Sequence, residues 1–422
     1  MAGADRPERS ASVAQRVSTP VSGTVLGALV TYRAFRFLWL SSVLTQIAQW
    51  MLQVATAWLM LQLTDSVFWV GLLGFAGGIP FLFVAVPAGT LSERLDQRAI
   101  LLACQGSALA LSVVLATLVL AHWVSPWLLI GATLINGALL AANNATRQAM
   151  LPSCVPRQAL QNAVGLLSAG MNMTRIVGPS LAGPLVGTLG VGGTLLLQAM
   201  CLALALVNTV QLPPSPPAGR ITQSFLEGLT AGLRYVRQTS VVLALLVLAS
   251  VPTILVFPYL HLLPVFARDV LQLGPSGLGL LYAIGGSGAL TGSLFVASFR
   301  GMRRRGAVMV TMIVVYGLVV SLFTLVHWLP VVSICLFLAG FLGASYMALN
   351  NALLHLAVDD EVRGRVMGLY MVTWAFMPLG ALPLGALGDL IGIDRAVLLG
   401  AIASSVVCLL VAWRVPALLR LS

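Results

Sequence analysis

Long apolar segments restrict what this 422-residue chain can fold into more than any other feature. A helix that crosses the apolar core of a bilayer needs about 20 mostly apolar residues. We count twelve such segments, separated by short loops rich in glycine, proline, serine or charge. Their approximate bounds are 37–63, 69–89, 99–121, 127–149, 163–189, 193–212, 241–266, 276–298, 307–328, 331–356, 365–388 and 394–415. The sequence therefore predicts an all-α membrane protein with twelve transmembrane helices.

The composition agrees with a lipid environment. Only 8% of the residues are charged and 59% are hydrophobic, whereas about a quarter of a soluble domain is charged. The net charge of +11 is carried by arginine, because the chain contains no lysine. We attribute this charge to the positive-inside bias of membrane proteins and expect no nucleic-acid partner.

The arginines are distributed unevenly over the predicted loops. Loops on the side of the N-terminus hold nearly all of them, and the opposite side holds only Arg268 and Arg395. This asymmetry predicts that both termini are cytoplasmic. The predicted regions are a cytoplasmic tail (1–30), an N-terminal six-helix bundle (31–212), a cytoplasmic linker (213–240), a C-terminal six-helix bundle (241–415) and a second tail (416–422). The linker is predicted to hold an amphipathic helix with its apolar face formed by Phe225, Leu229, Leu233 and Val236.

The two halves of the chain repeat each other. The stretch VGLLGFAGG (70–78) matches LGLLYAIGG (278–286), and NNA occurs at 143–145 and again at 350–352. Two prolines lie five residues apart in the predicted fifth span and again in the eleventh. This repeat predicts two six-helix bundles with pseudo-two-fold symmetry about an axis along the membrane normal.

Several motifs resemble the major facilitator superfamily over nearly all of residues 30–415. The stretch GTLSERLDQR (89–98) is similar to the loop motif of that superfamily, although Asp96 stands where a glycine is usual. The fifth span carries Gly178-Pro179 and Gly183, similar to a motif associated with exporting antiporters. Residues 147–166 and 361–370 resemble the branch that includes the enterobactin exporter and macrolide and multidrug efflux proteins.

The resemblance implies a set of gating residues. The loop cluster would hold one conformation of the transporter and separate in the other, while the Gly-Pro pairs would let the fifth span bend and pack closely, with the glycine-bearing eighth span as the expected partner. A solvated, positively charged loop is the alternative interpretation of the cluster. The predicted gating residues are Gly89, Glu93, Arg94, Asp96, Arg98, Gly178, Pro179 and Gly183.

Arg175 is the most informative polar residue within the predicted spans. A charge near the middle of a bilayer costs roughly 3 kcal/mol or more, so it should face the protein interior or a water-filled cavity. Ser168, Asn172 and Arg175 share one stripe of the fifth span. The arginine is predicted either to bind substrate or to brace the helix near Pro179.

Further polar and aromatic residues are candidates for contact with a substrate. Gln46, Gln49 and Gln53 share one face of the first span, where they contact either a solute or a neighbouring helix. His261 lies in a proline-rich seventh span, and a lone histidine there is more often structural. The remaining candidates are Asn136, Asn143, Tyr259, Asn350 and Trp374.

No Asp or Glu lies in the middle of a predicted span, although proton-coupled exporters usually carry a buried carboxylate. Proton coupling through Asp65, Asp389 or His261 is therefore a hypothesis. No nucleotide-binding, metal-binding or catalytic motif is evident, so we expect neither an enzyme nor a bound cofactor.

The predicted function is export of a small amphipathic compound, drug-like or a siderophore, by alternating access. Protons are the candidate exchange ion, and a monomer in the cytoplasmic membrane is expected. Two alternatives remain open: an importer or flippase for lysophospholipids or nutrients, and a receptor or scaffold that does not transport.

Overall fold

A computed structural model describes residues 27–215, 233–298, 304–374 and 376–421. The side chains of Val86, Glu93, Asp360, Glu361 and Trp374 are not among those described. The predicted N-terminal tail therefore lies outside the described residues as far as residue 26. The same holds for most of the linker, including Phe225 and Leu229 of its predicted amphipathic helix.

Every regular element in the described ranges is a helix, and these ranges contain no strand. The principal helices, in chain order, are α1 (Gly27–Thr31), α2 (Arg33–Thr64), α3 (Val67–Gly78), α4 (Pro80–Arg94), α5 (Gln97–Leu120), α6 (Pro126–Cys154), α7 (Leu160–Val210), α8 (Ser240–Leu255), α9 (Pro275–Ser298), α10 (Arg305–Leu325), α11 (Leu329–Ala357), α12 (Asp360–Trp374), α13 (Met377–Ile391) and α14 (Ile393–Arg414).

Ten helical segments among the described residues are long and apolar enough to cross a membrane. The predicted fifth and sixth spans form one 51-residue helix, α7, which bends at Gly190, where φ is 70° and ψ is 177°. The predicted first span corresponds to α2, which has 32 residues but is not among the ten.

Three predicted spans are interrupted, and proline contributes to each break. The second span is divided into α3 and α4 between Gly78 and Pro80. The eleventh is divided into α12 and α13, and α13 has a proline in its first turn. The seventh begins as α8 and continues through irregular turns to Val270. Proline removes a backbone donor and clashes with the preceding helical turn, so each break has a local cause.

The helices of the two halves alternate between two ends of the molecule. We call them the Asp65 end, where α2 ends and α3 begins, and the Arg98 end, where α4 ends and α5 begins. Within the first half, α2 and α5 pack along α7. Within the second, α10 and α14 pack together and α9 packs along α11. The halves meet where α7 contacts α9 and where α3 contacts α13.

Apolar side chains also cover much of the outer surface. Trp123, Trp127 and Trp328 are highly exposed near the Asp65 end, and Trp413 is highly exposed near the Arg98 end. Tryptophan is enriched where a membrane meets water, because its ring is amphipathic. The exposed surface is therefore that of a membrane protein.

Candidate functional site

Two glycine seams join the halves at the Asp65 end. In the first, a Cβ added to Gly183 of α7 would lie 2.7 Å from the Cα of Gly279 in α9. In the second, a Cβ added to Gly71 of α3 would lie 3.0 Å from the Cα of Gly385 in α13. Because no real Cβ fits at such distances, only glycine permits this approach. Gly71 and Gly279 are separated by 208 residues, the offset of one of the repeats.

The structure places α9 against α7, but mainly through a glycine that the sequence analysis did not name. Gly279 contacts α7 as described above, and a Cβ on Gly286 would meet Ile176 and the backbone of Arg175. Gly288 and Gly292 instead pack against the backbone of α11. The eighth span therefore has small residues on two faces, one for each neighbouring helix.

Hydrogen bonds reinforce the closure at the Asp65 end. Arg268 contacts the Asp65 carboxylate and donates to the carbonyl oxygen of Leu61 at 3.0 Å, so it joins the second half to the end of α2. Asp389 accepts a hydrogen bond from the backbone N–H of Val67 at 2.7 Å and another from the hydroxyl of Ser66 at 2.6 Å. Asp389 thus caps the first turn of α3 across the boundary between the halves.

The Arg98 end has no comparable links in the parts of the chain that the structure describes. The hydrogen bonds by which Asp389 and Arg268 join residues 233–421 to residues 27–215 lie at the Asp65 end. Gly89 in α4 has open space where a Cβ would be, and so do Gly364 and Gly368 in α12. Among the described residues, the glycine seams and the hydrogen bonds of Arg268 and Asp389 therefore join the halves at the Asp65 end.

A cavity of about 260 Å³ lies between α2, α3 and α6, near the junction of the halves. The second half contributes His261 and Tyr282 to its wall. The apolar part of the lining includes Trp50, Leu73 and Phe81. An apolar pocket with a few fixed polar groups is the usual form of a site for a small organic compound.

The polar groups of the cavity are mostly amides. Gln49 accepts a hydrogen bond from Asn136 at 2.7 Å, which fixes both side chains in the wall. Gln46 Oε1 and Trp50 Nε1 are buried and have no hydrogen-bond partner. Buried polar atoms are normally paired, so these two atoms offer an acceptor and a donor to a bound compound.

The structure brings five of the predicted substrate contacts to this cavity. They are Gln46, Gln49, Gln53, Asn136 and His261. His261 also lies against Gly74 of α3, where an added Cβ would be 2.9 Å from the imidazole ring. It therefore lies between the two halves.

Three other predicted contacts lie elsewhere. Asn350 is fully buried in the second half and donates to the carbonyl of Leu245 at 3.1 Å. Tyr259 is buried and packs against Phe323. Asn143 borders a separate chamber of about 20 Å³ inside the first half. Trp374 has no described side chain.

The predicted stripe on α7 faces away from lipid. Gly178 packs against Trp50 of α2, while Ile176 packs against Gly286 of α9. By helical geometry, Arg175 points between those two contacts. The exposed apolar residues Met173 and Leu181 lie on the opposite face. Ser168 and Arg175 are exposed and Asn172 is half-buried, so the stripe borders the space between the halves.

The predicted gating loop is braced within the first half. Asp96 accepts hydrogen bonds from the backbone N–H groups of Arg98 and Ser215, at 3.0 and 3.1 Å. Arg98 donates to the carbonyl of Val210 at the end of α7. Arg94 is exposed, and the Glu93 side chain is not described. The described contacts of this loop therefore tie α5 to the segment after α7.

The sequence analysis missed several residues that border the cavity or close it, among them Asn144, Tyr282 and Arg268. Arg147 was counted with the charges of the loops on the N-terminal side, although it lies within the predicted fourth span (127–149). The helix continues to Cys154, which leaves Arg147 only 4% exposed. A polar series at helical spacing, from Asn136 through Asn143 and Asn144 to Arg147, was the available signal.

Comparison with known proteins identifies the family. The profile of the transmembrane secretion effectors, a branch of the major facilitator superfamily, matches residues 27–419. The chain belongs to this family. It is therefore a membrane transporter and not an enzyme.

Named relatives are efflux proteins and exporters. The multidrug efflux pump Tap of Mycolicibacterium fortuitum is 27% identical over 82% of this chain and 87% of its own. The enterobactin exporter EntS of Shigella flexneri is 27% identical over 86% of this chain and 87% of its own. These relatives support a secondary transporter that exports drugs or siderophores.

Solved structures show the same fold. A crystal structure of a mutant of the nucleoside transporter NupG superposes with a TM-score of 0.75, at 15% identity, over 91% of this chain and 99% of that one. At this low identity the similarity establishes the fold only.

Proposed function

We propose that this protein exports a small amphipathic compound from the cytoplasm by alternating access, with twelve membrane crossings in two six-helix halves. The observation that carries this proposal is the cavity at the junction of the halves, which combines an apolar wall with unpaired polar atoms. It lies in a chain whose halves are joined at the Asp65 end by glycine seams and by Arg268 and Asp389.

Ten segments are identified as long and apolar enough to span the membrane, and two helices, α7 and α2, account for the two further crossings. At 1.5 Å per residue, the 51-residue α7 is about 77 Å long, more than twice the ~30 Å apolar core of a bilayer. Its bend at Gly190 would lie at one membrane surface. Helix α2 is long enough for one crossing, and its glutamines face the cavity rather than lipid.

The distribution of arginine supports placing the Arg98 end in the cytoplasm. Among the described residues, only Arg268 and Arg395 lie at the Asp65 end, and the others are at or near the Arg98 end, apart from Arg175. In this orientation both termini are cytoplasmic and the cavity faces the cytoplasm, as an exporter requires for loading. Reporter fusions at residue 422 and in the 122–125 loop test this orientation.

Proton exchange fits the contacts at the Asp65 end. Asp389 binds Ser66 and Val67 as an acceptor, and Asp65 pairs with Arg268, which also pairs with Asp269. Protonation of Asp65 or Asp389 from outside would weaken links that hold this end closed. Efflux driven by an imposed pH gradient in proteoliposomes should therefore depend on these carboxylates. Unchanged gradient-driven efflux by both Asp→Asn variants removes them from the coupling pathway.

Efflux from a host that lacks its own pumps tests the proposed function directly. We expect the protein to lower the accumulation of some apolar compounds, and Gln46→Leu to change that set because it removes an unpaired acceptor from the cavity. Gln158→Leu, on an exposed residue before α7, serves as the control.

The alternatives predict different outcomes. An importer raises accumulation, a flippase moves lysophospholipid between leaflets, and a scaffold shows no counterflow in liposomes. Any of these three results overturns the proposal of export.

A further inference from the structure

Arg147 is a buried cation with an unused donor. Its side chain is 4% exposed, near the Arg98 end of α6. Nη2 donates to the Asn144 side-chain oxygen at 2.6 Å, whereas Nη1 is buried and has no hydrogen-bond partner. Removing a guanidinium from water without an acceptor for each donor is costly. The Arg147 Nη1 group is therefore free to donate to an acceptor.

Arg175 lies close to the same place. Nη2 of Arg147 is 3.9 Å from the sulfur of Met171 in α7. Met171 and Arg175 are four residues apart, so they share one face of α7 and are separated by about 6 Å along its axis. Arg175 has no ion pair or side-chain hydrogen bond with any residue that the structure describes. Arg147 thus lies against the face of α7 that also carries Arg175.

No described carboxylate balances these two cations. The described carboxylates lie at the two ends of the molecule: Asp65, Asp269, Asp389 and Asp394 at one, and Asp96 and Asp359 at the other. Arg268 pairs with Asp65 and Asp269, and His327 with Asp394, and neither Arg147 nor Arg175 takes part in an ion pair with a described residue. The field around Arg147 and Arg175 is therefore positive and favours an anion.

The cavity continues from this positive region toward the Asp65 end. Asn144, which accepts the hydrogen bond from Arg147, also lines the cavity. Trp50, Leu73 and Phe81 supply apolar surface in the same cavity. The positive charge of the two arginines and the apolar wall of the cavity therefore suit a compound with an anionic head and an apolar body.

We propose that Arg147 and Arg175 form a binding subsite for the oxyanion of an amphipathic substrate, typically a carboxylate, whose apolar part lies against Trp50 and Phe81. The inference rests on the proposed function, since it names the substrate class of the same cavity. An anionic lipid headgroup has the same chemistry and is the competing source of the anion.

The test compares two probes that differ in charge but have the same ring system, 2-naphthoate and its neutral amide 2-naphthamide. The full chain is placed in phosphatidylcholine nanodiscs, and binding is measured by equilibrium dialysis. We expect the wild type to prefer 2-naphthoate. Arg147→Gln and Arg175→Gln should each weaken its binding about tenfold or more, because a charge-assisted hydrogen bond is lost. Binding of 2-naphthamide should stay within about twofold.

Matched variants separate this effect from general damage. Arg157→Gln removes the same charge from an exposed residue outside the cavity and should change neither probe. Arg175→Lys should retain part of the preference, since it keeps the charge. If Arg147→Gln does not fold, the binding of the two probes to Arg175→Gln still tests the subsite, because Arg175 is exposed.

Three results would overturn the subsite. The first is a wild type that does not bind 2-naphthoate or shows no preference for it. The second is an equal loss of both probes in the arginine variants. The third is displacement of 2-naphthoate by phosphatidylglycerol in the nanodiscs, which would assign the subsite to lipid. If any of these results is found and neutral compounds are still exported, the subsite is overturned and the proposed function stands. If the protein prefers 2-naphthoate but transports no compound, the subsite stands and the proposed function is overturned.

Discussion

The two ends of this transporter are built differently. At the Asp65 end, glycines bring helix backbones of the two halves into contact, and Arg268 and Asp389 bind across the boundary. At the Arg98 end, the described hydrogen bonds of Asp96 and Arg98 stay within the first half. In this structure the contacts at the Asp65 end join the two halves, whereas the described contacts of the charged loop at the other end stabilise the first half.

Of the substitutions considered, Gly183→Ala is expected to weaken the closure of the Asp65 end most. The new Cβ would lie 2.6 Å from the carbonyl oxygen of Pro275 and 2.7 Å from the Cα of Gly279, so α7 and α9 must separate. Crowding of this kind typically costs 1–3 kcal/mol, which corresponds to about a five- to 150-fold shift away from the closed Asp65 end. Transport in cells and labelling of a cysteine placed at Ser276 measure the two consequences.

Gly131→Ala in α6 is the control, because nothing lies within 4 Å of the added Cβ. Equal behaviour of the two alanine variants would show that the seam does not hold the Asp65 end closed.

Arg268→Gln should shift the conformational equilibrium away from the closed Asp65 end by a smaller amount. This change removes the ion pair with Asp65 and weakens the bond to Leu61, both of which join the halves. Because the ion pair is partly solvent-exposed, we expect its loss to shift the equilibrium away from the closed Asp65 end by about 1 kcal/mol. Cysteine labelling at that end should rise severalfold. High salt should reduce the difference from the wild type.

Arg395→Gln removes an exposed arginine from the same end without an ion pair among the described residues. If it increases labelling as much as Arg268→Gln does, the links made by Arg268 are not the cause.

Asp389→Asn should have a still smaller effect on closure. The amide keeps an oxygen for the N–H of Val67, but loses the negative charge at the start of α3. A charge at a helix N-terminus contributes about 0.3–1 kcal/mol, so labelling should rise by about fivefold at most. Adding Ser66→Ala should have little further effect if the two side chains act as a pair, whereas additive effects would show that they act separately.

The smallest effect on conformation is expected from Asp96→Ala. The variant loses the cap of α5 and the bond to Ser215, and helix caps contribute about 1 kcal/mol to stability. The melting temperature of the purified protein should fall, while labelling at the Asp65 end stays unchanged. A change in that labelling would contradict the local role of this loop.

Much of the fold could be predicted because hydropathy, loop charge and repeats depend on local sequence. The separation of the fifth and sixth spans after residue 189 agrees with the bend at Gly190, but the sequence did not show that the second span would divide before Pro80, since proline within a helix is tolerated or not according to the packing around it. The pairing of the fifth span with the eighth was predicted, whereas the pairing of the second span with the eleventh was not. Gly279 was missed because the small residues of α9 do not reveal which neighbour each one contacts.

The candidate site was predicted less completely than the fold. The glutamines of α2 were identified because three amides on one face of an apolar helix must avoid lipid. The same reasoning failed for Asn350, which satisfies a backbone carbonyl in the second half. It also overlooked Arg147, because an arginine near the end of a predicted span was counted as a loop charge, whereas the helix continues to Cys154 and buries it.

The bend at Gly190 has a mechanical consequence. Its backbone conformation is one that only glycine adopts readily, and it joins two membrane-length helices without an intervening loop. The stretch before the bend lies against α9, and the stretch after it ends at the carbonyl of Val210, to which Arg98 donates. Because no loop separates the two stretches, a displacement of α7 at the Gly183 seam should also move the stretch that ends at Val210, beside the loop that carries Arg98.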